Sequence, residues 1–443
     1  MSITRTLAAV LAVGAAACGP PPAGPPAPGR SAGDARSTLR AAIDSMAGAP
    51  QFANAHWGIL IVDPARGDTL YARNAGKLFM PASNMKIITS TAALTLLGPD
   101  YTYKTTFLVD GPVQDSVLDG DLIVIGRGDP TISDNMRGVA TTVMDALADS
   151  IRAHGISQIT GRLVRVGNAF PDSTRGYGWE WDDLGEYYAA GVDELIFNEG
   201  MAPTTPRPLP DTVRDSAYSG PAKDPATAYL NALNDAVIRK KITLDAGVLD
   251  SILPTPFKMD TLFTFVSLPM RNILPALLKP SQNQIAEILL KTIGLERGGM
   301  GTADSARKIV GQQLLAWGVQ TDGFVIRDGS GLSRHDLLTP ETLVRVLDRI
   351  QRDTAFAVFY NALPIAGVDG TLRDRMKGTP AEGNAHAKTG SISNARTLSG
   401  YVTTADGERL IFSLMASNWT GPTSSTTSVA DQIVAALAAY RTH

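Results

Sequence analysis

Apolar and polar positions divide the chain into three textures. In the first, STLRAAIDSMAG (residues 37–48) carries helical spacing. HWGILIVDPARGDTLYARN (56–74) then reads as two strands around an Asp63-Pro64/Arg66-Gly67 turn. An apolar helix opens at Pro81–Ser83 and closes at Gly98-Pro99, residues that stop helices. From about 100 to 268 the texture changes. Asp, Gly and Pro become frequent, and short β-like runs such as DLIVIG and RLVRVG recur. Helical spacing is confined there to 139–154 and 224–239, and 168–222 follows no regular period. Helical patterns resume in LPMRNILPALLK, NQIAEILLKTIG and ADSARKIVGQQLLAWG. AHAKTGSIS, TLSGYVTT and ERLIFSLMAS read as three consecutive antiparallel strands, the last two joined through Asp406-Gly407. A helix, SVADQIVAALAAY, follows them.

Helix-rich ends around a β-rich middle predict an α/β (α+β) domain made of two separated segments, 36–99 and 269–443. A β-rich insert, 100–268, would stand between them, and the two ends of the chain would meet in one sheet. The 443 residues, 44% of them hydrophobic, suffice for two or three such units. Residues 1–35 stand apart as an export signal and tether. MSITRTLAAVLAVGAAAC has a basic start, an apolar stretch and small residues before Cys18, too short for a membrane span. Cys18 is the only cysteine, so no disulfide forms within the chain. Its setting resembles the lipobox of bacterial lipoproteins, with Ala15 where leucine is usual. Lipidation at Cys18 is favoured over simple cleavage. The Pro-rich stretch 19–35 reads as a stiff, unfolded tether, and either route places the protein outside the cytoplasm. A formal net charge of -3 gives no whole-chain attraction for nucleic acid.

Three short patterns carry candidate chemistry. Ser83 and Lys86 lie three positions apart at a helix start and therefore on one face. A serine hydroxyl needs a nearby base, and a lysine serves only when burial or a second cation makes its ammonium acidic. The spacing alone is weak, since a chain this long holds about one or two Ser-x-x-Lys matches by chance. Ser305-Ala-Arg-Lys308, in a polar surface helix, is such a match. Ser83 differs by leading a helix apolar enough to be buried. Ser281-Gln282-Asn283 precedes another helix, where taken alone plain N-capping is the favoured explanation. Lys388-Thr389-Gly390 opens the C-terminal strands. It offers a cation, a hydroxyl and a close backbone approach to an extended peptide, or is simply a polar edge segment.

Ser-x-x-Lys, Ser-x-Asn and Lys-Thr-Gly in that order are the triple of β-lactamases and penicillin-binding proteins. Flanking stretches narrow the likeness: GDLIVIGRGDPTIS, KPSQNQIAEILL, DGSGLSRHDLLTP, LPIAGVDGTL and AKTGSISNARTLSGYV. With the long insert before Ser281, the sequence resembles the low-molecular-mass class C penicillin-binding proteins, the serine-type D-alanyl-D-alanine carboxypeptidases/endopeptidases. That resemblance implies a penicillin-binding/β-lactamase-like transpeptidase domain, peptidoglycan stem peptides and β-lactams as partners, a periplasmic place of work, and neither cofactor nor metal. It implies Ser83 as nucleophile, Lys86 as the group taking its proton, and Ser281 as the relay to the leaving amine. Asn283 would hold substrate and lysine. Lys388 and Thr389 would bind the terminal carboxylate, with Lys388 also lowering the pKa of Lys86 by like-charge repulsion. Gly390 would allow the close approach, and the backbone N–H groups of Ser83 and Ser391 would form the oxyanion hole. Arg334 would contact substrate or, equally, serve a fold-stabilising ion pair.

Two departures stand out: Gly167-Asn168 where relatives commonly carry an aspartate, and Gln282 inside the second motif. A β-lactamase is the nearest rival enzyme. Glu194-Leu-Ile-Phe-Asn198 superficially resembles its glutamate motif, but it precedes Ser-x-Asn in the chain instead of following it. A non-catalytic wall- or penicillin-binding protein is discouraged by the intact motifs. A Ser-His-Asp site lacks its Gly-x-Ser-x-Gly, and no metal-ligand spacing occurs.

Overall fold

The computed structural model describes residues 32–203, 218–253 and 258–441; the expected export signal, Cys18 and the expected tether as far as residue 31 lie outside them. Within them the structure is α/β, with two five-stranded sheets. The first runs His386–Ile392, Ala395–Thr403, Arg409–Ser417, His56–Asp63, Asp68–Arg73, antiparallel throughout. Early and late parts of the chain meet in it, with Ile59 opposite Leu414. Its central strands read as unbroken apolar runs because both faces are covered, and a strand alternates sides every residue. Trp57, Ile59, Phe412 and Leu414 pack with Ile43, Ile433 and Leu437, under helices Ala32–Ala47 and Thr423–Ala439. Leu60, Ile411 and Met415 face the other core, with Ile87, Leu289 and Leu347.

That second core holds helix Met85–Leu97, which is buried on every side from Met85 to Leu94. It is packed beside Asn283–Gly298 and Pro340–Ile350. Helix Pro340–Ile350 went unread in the sequence although its start is marked: Thr339 Oγ1 accepts the Thr342 N–H at 3.0 Å and proline follows the cap.

The other sheet runs Val248–Leu253, Leu163–Val166, Leu122–Ile125, Lys104–Val109, Asp260–Val266. The first three are parallel, and helices Ala140–Ala153 and Pro225–Arg239 cover one face. The chain enters this sheet on Lys104–Val109 and leaves on the neighbouring Asp260–Val266, with Thr105 opposite Phe265. Between them, the period-free stretch 172–190 folds back onto helix Asn283–Gly298. Lys291 Nζ donates to Asp172 Oδ1 at 2.5 Å and to the Ser173 carbonyl at 2.7 Å, and Gln284 Nε2 donates to the Tyr187 carbonyl at 2.9 Å. Side chains thus satisfy backbone groups that no ladder pairs.

Candidate active site

Ser83 sits in a 3-10 turn, Ala82–Asn84, that feeds directly into helix Met85–Leu97. Two bonds pin the turn to the antiparallel sheet. Thr397 Oγ1 donates to the Pro81 carbonyl at 2.8 Å, and Asn84 Nδ2 donates to the Lys388 carbonyl at 2.8 Å. Ala82 has φ +47°, a left-handed conformation that a side chain makes costly and that the surrounding contacts must hold. The holding surfaces are glycines. A Cβ on Gly331 would stand 1.8 Å from the Ala82 carbonyl oxygen. One on Gly390 would stand 2.1 Å from Thr397 Oγ1 and 2.7 Å from the Pro81 oxygen. Gly390 therefore admits the turn that carries Ser83, where the sequence suggested the backbone of a bound peptide. Gly390→Ala is expected to displace Ser83 and slow its acylation about 100-fold. Covalent labelling kinetics measure this, with unchanged far-UV circular dichroism as the control.

Lys86 is completely buried, and its Nζ reaches Ser83 Oγ at 2.8 Å, Asn283 Oδ1 at 2.6 Å and the Ser330 carbonyl at 2.7 Å. Burial is the main cause that brings its pKa down to about 7, while Asp328, Glu287 and Asp336 pull it back up. The sequence allows burial or a second cation as the cause, and the resemblance implies that Lys388 adds repulsion. The structure places that repulsion on Lys388 itself, whose pKa falls well below its ordinary value through burial first and Lys86 second. A dry pocket, more than a second cation, holds the Lys86 pKa down.

Beneath the lysine lie three buried acids that sequence reasoning missed. Glu287 accepts the N–H groups of Gly329 and Ser330, and burial with the Asp328 charge lifts its pKa to about 8. Asp328 accepts from Gly331 N at 2.6 Å, Ser333 N at 2.7 Å and Trp179 Nε1 at 2.8 Å. Asp336 is pushed well above the carboxylate range by burial and by Asp328. Together they hold the 328–333 loop, and hence the Ser330 carbonyl, against Lys86. The available signal was an acidic residue in the apolar run QIAEILL.

Ser83, Ser281, Asn283, Arg334 and Ser391 line one open cavity of about 380 Å3. Ser281 has φ +66°, and Gln282 supplies the helix cap by accepting the Gln284 N–H at 2.7 Å. The capping explanation of this motif thus falls on Gln282. Asn283 turns between Lys86 and the Tyr188 carbonyl, to which its Nδ2 donates at 2.8 Å. Lys388 is buried, and its Nζ donates to the Thr389 carbonyl at 2.9 Å. Thr389 Oγ1 donates to Thr371 at 2.7 Å and lines the neighbouring cavity. Arg334 lines the Ser83 cavity and pairs with Glu180 at 2.9 Å and Asp183 at 3.3 Å, an ion pair of the kind the sequence offered as one of its two readings. Asp183 and Tyr188, from the period-free stretch, complete that wall. Ser305 instead donates to the Gly294 carbonyl, Asn168 is outside the cavity lining, and Glu194 is held by Arg165 at 3.3 Å beneath the other sheet.

The chain resembles proteins of known type along most of its length. It is 30% identical to a D-alanyl-D-alanine carboxypeptidase of an Actinomadura species, over 94% of this chain and 88% of that protein. It is 27% identical to the D-alanyl-D-alanine carboxypeptidase DacB of Haemophilus influenzae, over 76% and 80%. The crystal structure of penicillin binding protein 4 (dacB) from Haemophilus influenzae superposes with a TM-score of 0.74 at 24% identity, covering 90% of this chain and 97% of that one, a likeness of fold. Family-wide sequence features match residues 39–223 and 208–440, and on that span the chain belongs to the D-Ala-D-Ala carboxypeptidase 3 (S13) family.

Proposed function

We propose that the protein is a serine-type D-alanyl-D-alanine carboxypeptidase and D-alanyl endopeptidase that acts on peptidoglycan stem peptides through an acyl-enzyme at Ser83. One observation carries the reading: the buried Lys86 amine, with a pKa near 7, lies 2.8 Å from the Ser83 hydroxyl. Ser83 Oγ attacks the carbonyl of the penultimate D-alanine while its proton passes to Lys86. The N–H groups of Ser83 and Ser391 receive the oxyanion. Ser281 relays a proton to the departing nitrogen, the C–N bond breaks, and D-alanine or the cross-linked strand leaves. Water then attacks the ester and restores Ser83. Lys388, with Thr389, receives the terminal carboxylate. A β-lactam acylates Ser83 the same way, but its amine stays tethered and obstructs water.

Rapid penicillin turnover is not supported by the cavity wall. Asp183 is the carboxylate there among the described residues. Its Oδ1 accepts from the Tyr188 hydroxyl at 2.8 Å and its Oδ2 from Arg334. The leader and tether support export from a bacterial cell, to a periplasmic location with a lipid at Cys18. Incubation of the mature protein with a D-Ala-D-Ala pentapeptide and a cross-linked muropeptide, read by mass spectrometry, is expected to show D-alanine release and dimer cleavage. If both substrates survive while penicillin still labels Ser83, the protein is a sensor and not a peptidase.

A further inference from the structure

Segment 363–372 takes no part in the reaction proposed above, yet it is fastened to both sides of the site. On one side the Thr371 N–H donates to the Lys279 carbonyl at 3.0 Å. Lys279 Nζ in turn donates to the Leu363 carbonyl at 3.0 Å and pairs with Asp369 Oδ2 at 2.6 Å. Lys279 stands two positions before Ser281. On the other side the Ala387 N–H donates to the Pro364 carbonyl at 3.0 Å, on the strand that carries Lys388 and Ser391. Thr371 touches both sides, because its hydroxyl accepts from Thr389 Oγ1 at 2.7 Å. Backbone bonds and an ion pair thus fix where this hydroxyl stands, although the residue itself is exposed. Thr389 and Ser391 are two apart on one strand and therefore share a face. Ser391 lines the Ser83 cavity, and Thr389 and Thr371 line the space that adjoins it.

We propose that Thr371 is a positioning residue for the substrate's terminal carboxylate, acting through Thr389. The inference rests on the reading of Thr389 as a partner of that carboxylate. A carboxylate only accepts, so Thr389 holds it by turning its proton away from Thr371. The Thr371 hydroxyl makes no other hydrogen bond among the described residues, and a hydroxyl can exchange the acceptor's part for the donor's without moving its oxygen. Thr371 then donates to Thr389 Oγ1, and two hydroxyls in series point at the anion. Each bond in such a chain polarises the next. The gain is largest for a charged acceptor, whose hydrogen bonds are about twice as strong as those of a neutral carbonyl. Thr371 therefore favours a free carboxylate over an ester or amide in the same place.

The rate at which benzylpenicillin and its methyl ester label Ser83 tests this on the mature protein, on Thr371→Val and on Thr371→Ser. Valine keeps the branched shape and removes the hydroxyl, and serine keeps the hydroxyl. T371V is expected to slow labelling by the acid about tenfold and labelling by the ester less than about twofold. T371S is expected to restore most of the rate with the acid. A loss shared equally by acid and ester overturns the inference, since a merely structural role would not tell the two apart. So does an undiminished rate with the acid in T371V, or a loss that persists in T371S. If T371V fails to fold, Thr371→Ala is measured against the same pair of compounds. Failure of both compounds to label the unmodified protein would end the acyl-enzyme reading and this inference with it. Labelling without the acid-specific loss ends this inference alone.

Discussion

Lys86→Met lowers the rate of Ser83 acylation by about three to four orders of magnitude, the scale of a lost general base. Methionine keeps the length and apolar stem of the lysine in a fully buried position, so what is lost is the amine. As an ammonium, Lys86 donates three bonds, to Ser83, Asn283 and Ser330. As a neutral amine it has two donors and one lone pair. Asn283 Oδ1 and the Ser330 carbonyl can only accept, so they keep the two N–H groups. The lone pair is then aimed at Ser83 Oγ, the partner able to reverse its role. Stopped-flow acylation by a chromogenic β-lactam, with intact-mass counting of the label, measures the loss. A fall smaller than about tenfold would move the base elsewhere.

Acylation by the unmodified protein rises about a hundredfold between pH 5 and pH 8. The sign follows from which form works: neutral Lys86 takes the proton, and its pKa is brought down to about 7. Two pH units below that value about one lysine in a hundred is neutral, so the rate climbs about tenfold per unit and levels above pH 7. The same shift bears on stability with a definite sign. The unfolded chain, with its lysine near 10.5, binds more protons than the native one between pH 7 and 10.5, so this group's contribution to stability rises with pH through that window. In its proposed role Lys388 holds a carboxylate only while charged, and its pKa is also lowered, so a fall on the alkaline side is expected. A flat acid limb, measured at saturating and limiting substrate, would remove Lys86 from the role.

The residues of the candidate site were legible because each motif is local: Ser83 and Lys86 share a helical turn, and Lys388 precedes Gly390 on one strand. What makes them act was not. The acidity of Lys86 comes from burial under helix Asn283–Gly298 and the 328–333 loop, which are distant in sequence. Gly390 read as a point of close approach, but the approaching carbonyl belongs to Pro81. The two-faced burial of the central strands was visible as unbroken apolar runs, and the strands fell where those runs lie. Residues 172–190 gave nothing to read, since a segment whose backbone is bonded by side chains of another helix needs no period of its own.

The turn beneath Ser83 is fastened by partners 304 and 316 positions further along the chain. A ribosome must therefore deliver nearly the whole protein before the serine has a fixed place, and any prematurely ended product carries the nucleophile without its anchorage. Lateness of this kind is a safeguard: a peptidoglycan hydrolase stays chemically silent through most of its own synthesis.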